Sequence, residues 1–216
     1  MTRRLVVGAT AALGAASLAA SLSATPGSKR FHLLTGATAA TWTVGSLAAG
    51  PIRLSGGRPV LLDVAEGSAV GAVCVVPFVA GARVARRIGP LRRMLTSVLA
   101  YSNRGRPAAV FASTISTGVA EEIYFRGALT DALVEHPLRD STAAYTVVTC
   151  ATRNPTLVLA AVPMGAVFGW QRRRTGALVA PMVAHAVWSA LMLRILPPLF
   201  PSPAVVDSAA DWHRDD

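Results

Sequence analysis

Val119-Ala120-Glu121-Glu122-Ile123-Tyr124-Phe125-Arg126-Gly127 places two adjacent carboxylates and a guanidinium inside an apolar stretch that runs from 107 to 134. A charge at the centre of a bilayer costs about 3 kcal/mol on insertion scales, and residues tolerated there face a bundle interior or a wet cavity. Read as a helix, the stretch sets Glu122 and Arg126 four residues apart on one face, where they can pair. Glu121 then points about 100° away around the helix, so it can face a cavity while its neighbour is neutralised. A structural ion pair accounts for Glu122 and Arg126 but leaves Glu121 unexplained. A carboxylate general base in a poorly solvated site accounts for all three.

The rest of the chain supplies the membrane context. Of 216 residues, 52% are hydrophobic and only 15% charged, against about a quarter charged in soluble domains. The apolar residues run in blocks: 5–24, 32–49, 60–82, 107–134, 142–171 and 176–197. The expected fold is therefore all-α, a polytopic transmembrane helix bundle of about six or seven membrane segments. The first block also has the basic start and small residues of a secretory signal, and is read as a retained first helix because further hydrophobic segments follow at once. The 142–171 block is interrupted by Arg153-Asn154-Pro155, and each part falls short of the roughly 20 residues a full span needs.

Net charge is +10. In a soluble chain that would suggest nucleic acid, but here the arginines lie between apolar blocks, as in loops beside a membrane. No nucleic-acid partner is expected. Val84, Ile88, Leu91 and Leu95 fall on one helical face with arginines opposite, the pattern of a helix lying on an anionic membrane surface. The 83–106 stretch holds seven arginines, so it and Arg172-Arg173-Arg174 should both be cytoplasmic. That requires the 142–171 region to cross an odd number of times. Strict alternation from Arg3 and Arg4 puts 83–106 on the opposite side, so either one early segment breaks the count or the positive-inside rule fails here. Cys74 and Cys150 lie inside apolar blocks and read as buried free thiols rather than a disulfide.

His185 is the second singular residue, in Gly176-Ala177-Leu178-Val179-Ala180-Pro181-Met182-Val183-Ala184-His185. By itself an intramembrane histidine is ordinarily a helix-to-helix hydrogen bond. Beside an intramembrane carboxylate it becomes a candidate for chemistry.

These residues resemble a known family. Glu121-Glu122 through Arg126-Gly127 resembles the EExxxRG motif of the CPBP family of membrane proteins, which groups type II CAAX prenyl endopeptidases, bacteriocin-processing proteases and Abi-like members. Arg174-Thr175-Gly176-Ala177-Leu178, then Ala180-Pro181 and His185, is similar to the family's RTGSLxAPxxxH stretch. The resemblance covers roughly residues 107–195. It implies an intramembrane endopeptidase in which Glu121 activates water, Glu122 and Arg126 order the site, and His185 orients water or stabilises the oxyanion. It divides the chain into N-terminal transmembrane helices with a basic interfacial helix (1–106), a catalytic core (107–197) and a polar, disordered tail (198–216). The implied setting is multi-pass in a bacterial cytoplasmic membrane, with the lipid bilayer and a membrane-associated protein or peptide substrate, CAAX-type among the candidates, as partners.

Two positions depart from the family pattern. Its FxxxH element aligns with Val148 and Thr152, and the Asn or Asp usual four residues after the last histidine is Ser189. Thr152 and Ser189 can support the site only through a hydroxyl. No HExxH is present, and catalytic zinc normally takes three protein ligands. No cofactor is expected; zinc is left open, with Glu121 and His185 as its ligands if bound. His32, His136 and His213 lie in other segments. Two rival readings remain: a catalytically inactive family member acting as a membrane binding or scaffold protein, favoured by the missing histidine, and a transporter using the glutamates as a proton relay, disfavoured by the absence of repeated halves.

Overall fold

The computed structural model describes residues 2–201. They form eight α-helices and no strand: α1 (Arg3–Leu22), α2 (Lys29–Ala49), α3 (Val60–Ala85), α4 (Gly89–Asn103), α5 (Pro107–Glu122), α6 (Pro137–Cys150), α7 (Pro155–Thr175) and α8 (Val179–Ile195). A π-helical turn, Ile123–Leu129, and a 3-10 turn, Thr130–Ala132, continue α5. Proline in the first turn of α4, α5, α6 and α7 needs no amide partner and starts each helix. Ser28 caps α2 and Asn154 caps α7. Gly176, at φ 71°, ends α7 in the left-handed conformation that glycine adopts without a Cβ clash.

Three helices, α1, α3 and α8 with its following turn, are long and apolar enough to cross a membrane by length and composition. Small residues let the helices approach closely. Gly14 of α1 lies under the Trp42 ring of α2, and Gly67 and Gly71 of α3 lie against the backbone of Ala180 and Ala184 in α8. The α3–α8 pair is the most extensive in the bundle.

The two ends of the bundle are chemically distinct. At one end Asp131 pairs with Arg3 at 3.7 Å and with Arg172 at 3.2 Å, and Glu66 pairs with Arg58 at 3.1 Å and Arg174 at 3.4 Å. At the other end α4 lies across the helix tips. Tyr101 donates to the Leu22 and Ala24 carbonyls, and Asn154 donates to the Met94 carbonyl at 3.0 Å. This second end carries Lys29-Arg30, the five arginines of 83–93, Arg104, Arg106, Arg153 and Arg194, and no acid among the described residues.

The topology expected from sequence is corrected accordingly. The 142–171 region makes two helices, not an odd number, so Arg172–Arg174 share an end with Arg3 and lie opposite 83–106. Arg172 and Arg174 are engaged by Asp131 and Glu66, so their charge serves ion pairs within the bundle rather than a lipid-facing loop. The basic interfacial helix is also different. Arg86–Ile88 break it, Val84 belongs to α3 and is exposed, and the apolar face of α4 begins at Leu91 and Leu95. The 198–216 tail begins as ordered structure: Pro197–Leu199 form a 3-10 turn and Phe200 is buried against α3 and α4. The remainder of that stretch, with His213, lies outside the described residues. Both cysteines are free, but neither is buried as expected: Cys74 is half-buried and Cys150 is exposed.

Candidate active site

The Glu121–Arg126 stretch spans the junction of α5 and its π-turn. In a π-turn the backbone repeats at i+5, and such turns recur at functional sites. Here the carbonyls are taken up by side chains. Thr130 and Ser141 hydroxyls both donate to the Phe125 carbonyl at 2.6 Å, and Arg172 Nε donates to the Arg126 carbonyl at 3.0 Å. The Tyr124 hydroxyl donates to the Val7 carbonyl at 2.8 Å, which ties the turn to α1.

The two carboxylates go to different surroundings. Glu122 is fully buried; its Oε1 meets Arg126 Nη1 at 3.1 Å and His185 Nδ1 at 2.9 Å. Glu121 lines a 670 Å³ cavity and accepts a hydrogen bond from the Tyr145 hydroxyl on Oε2 at 3.0 Å. The Arg126 guanidinium lies 4.6 Å from the Tyr145 ring centroid and 5.7 Å from that of Phe168, a favourable placement for a desolvated cation. Glu122 is therefore neutralised by a cation, while Glu121 is held by a neutral donor.

His185 reaches Glu122 from α8, with its ring 5.1 Å from Phe168. Gly118, one turn before Glu122 on α5, makes the approach possible: a Cβ there would lie 3.0 Å from the imidazole. Ser189, one turn after His185, is buried and lines the cavity. Thr152 lines it too, just past the end of α6, but its hydroxyl donates to the Thr149 carbonyl at 2.7 Å. Val148, at the position of the family's aromatic residue, is packed in the core around Trp42 and Tyr124. The cavity wall beyond these groups is apolar apart from hydroxyls such as Ser113, Thr114 and Thr117. No Lys, Arg or Asp among the described residues lines it.

Sequence reasoning missed Tyr145, Gly118 and Arg172. Tyr145 sits among Thr, Ala and Val, and a membrane-embedded phenol needs a hydrogen-bond partner, a signal that marks the residue but not its partner. Arg172 read as loop charge, although it is nearly buried.

A catalytic zinc does not fit this donor set. Among the described residues no group of three or more His, Cys, Asp and Glu side chains is placed to hold a metal. The His185 Nδ1 is engaged by Glu122, and one Glu121 oxygen by Tyr145. Three protein ligands are the norm for catalytic zinc, a number the described residues do not bring together.

An apolar helical bundle with a carboxylate-lined internal cavity defines the class: a membrane protein built around a buried polar site. Residues 103–191, from the end of α4 into α8, match the family model described as Type II CAAX prenyl endopeptidase Rce1-like. The matched segment carries Glu121, Glu122, Arg126 and His185 and is similar to that membrane protease family. No curated protein and no solved structure matches the chain.

Proposed function

We propose that the protein is an intramembrane endopeptidase that cleaves membrane-associated substrates with a glutamate-activated water. The observation that carries this reading is the division of labour between the adjacent carboxylates, one neutralised by Arg126 and hydrogen-bonded to His185, the other facing a cavity with an oxygen left for water. Glu121 takes a proton from water as the water oxygen bonds to the substrate carbonyl carbon. It returns the proton to the amine as the C–N bond breaks. Glu122 and Arg126 fix the backbone and the imidazole. With Glu122 as acceptor, His185 carries its proton on Nδ1 and presents Nε2 as an acceptor that aligns the attacking water. Ser189 supplies a donor for the oxyanion; the Thr152 hydroxyl, already committed to Thr149, supports the cavity wall.

The cavity favours an uncharged, apolar peptide segment, because a charge in the cleaved segment would be buried unpaired. CAAX-type substrates are one candidate class. The setting proposed is a multi-pass protein of a bacterial cytoplasmic membrane, with about six or seven spanning helices and α4 lying across the cytoplasmic end.

The test compares new peptide termini in membranes of cells producing wild type or Glu121→Gln. Termini unique to wild type are expected, with turnover in the mutant lower by about 10²- to 10⁴-fold. Identical sets at equal protein abundance would leave the second reading, an inactive binding or scaffold member, for which the absence of an imidazole at Thr152 is the supporting observation. On purified protein, a zinc chelator is expected to leave cleavage unchanged; loss of cleavage restored by added zinc would overturn the metal-free mechanism.

A further inference from the structure

Tyr145 touches both halves of the site at once. Its hydroxyl donates to Glu121 Oε2 at 3.0 Å, and its ring lies 4.6 Å from the Arg126 guanidinium and 4.9 Å from Phe125, edge to face. It comes from α6, so it joins two separate helices, and it lines the same cavity as Glu121 and His185.

We propose that Tyr145 is the positioning residue of this site, holding one oxygen of Glu121 so that the other addresses water in the cavity, and holding Arg126 on Glu122 rather than on Glu121. The role rests on the protease reading above. The geometry gives it two parts. The phenol is a neutral donor, so it fixes the Glu121 carboxylate without cancelling its charge, as a bound arginine would. The aromatic face gives the guanidinium a favourable seat beside Glu122. One Arg126 nitrogen, Nη2, has no hydrogen-bond partner. Without the ring, that unsatisfied donor has reason to turn toward the second carboxylate, one residue before its partner, and quench the base.

Tyr145→Phe keeps the ring and removes the donor; Tyr145→Leu removes both. With a peptide identified from the termini comparison as substrate, Tyr145→Phe is expected to lower kcat about 10- to 100-fold, the range for a lost hydrogen bond to a charged group, with KM nearly unchanged. Tyr145→Leu should fall further. Infrared spectroscopy of the purified protein gives a readout that needs no substrate: the carboxylate band lost in Glu121→Gln should shift in Tyr145→Phe. A wild type that cleaves while Tyr145→Phe cleaves equally well overturns the role and leaves the protease reading intact. An unmoved Glu121 band overturns it as well. A wild type producing no termini beyond those of Glu121→Gln removes the protease reading and this role together.

Discussion

At the scale of single residues, the site depends on contacts that tolerate little displacement. Arg126 and Glu122 are both buried, and breaking a buried pair leaves an uncompensated charge. Arg126→Ala is expected to destabilise the protein by about 3–5 kcal/mol, measured by thermal unfolding in detergent. Gly118→Ala separates activity from stability. Alanine favours a helix interior by about 1 kcal/mol over glycine, yet its Cβ would press on the His185 ring at 3.0 Å. Folding should be retained while turnover drops about tenfold or more through a displaced imidazole. Equal turnover in that variant would show that the contact between α5 and His185 does not set its position.

At the scale of elements, the π-turn after α5 is held from three directions. Ser141 reaches it from α6, Arg172 from α7 and Tyr124 anchors it to α1. Asp131 links Arg172 to Arg3, so the first helix is fastened to the same turn. Arg172→Gln should leave the Arg126 carbonyl without its charged donor. The expected cost is about 1–3 kcal/mol, with a smaller additional loss when Asp131→Asn is combined with it than when Asp131→Asn is made alone. Additive losses in that double-mutant cycle would separate the two contacts. Most of the helices were legible in advance from the apolar blocks. Arg153-Asn154-Pro155 correctly split α6 from α7. The break at Arg86–Ile88 was not legible, since the amphipathic pattern runs through it without interruption.

At the scale of the whole molecule, the unequal ends set orientation. The end covered by α4 carries eleven cations and no acid among the described residues, while Asp63, Glu66, Asp131, Glu135 and Asp140 belong to the other. By the positive-inside bias the α4 end is expected in the cytoplasm and Arg172–Arg174 on the other side. Single cysteines introduced at Arg153 and Arg173, in a chain with Cys74 and Cys150 replaced, should label from opposite sides of sealed vesicles with a membrane-impermeant maleimide. Labelling from the same side would restore the odd crossing count that counting basic residues suggested.

The residue types and their spacing alone determined that this is an apolar helical bundle, that Glu121 and Glu122 must part company around a helix, and that Arg126 pairs with the second. Those are local consequences of periodicity and of the cost of charge in lipid. The partners of each group came from elsewhere in the chain. His185 joins Glu122 across 63 residues, Tyr145 meets Glu121 across 24, and Arg172 reaches the Arg126 carbonyl across 46. Nothing in a linear pattern specifies which helix faces which. Only packing decided that: close approach at Gly118, and at the α3–α8 glycines, fixes the faces that meet. The same packing turned two of the three arginines read as a topological signal, Arg172 and Arg174, into ion-pair partners, because opposite charge within reach outweighs a statistical preference for one side of the membrane.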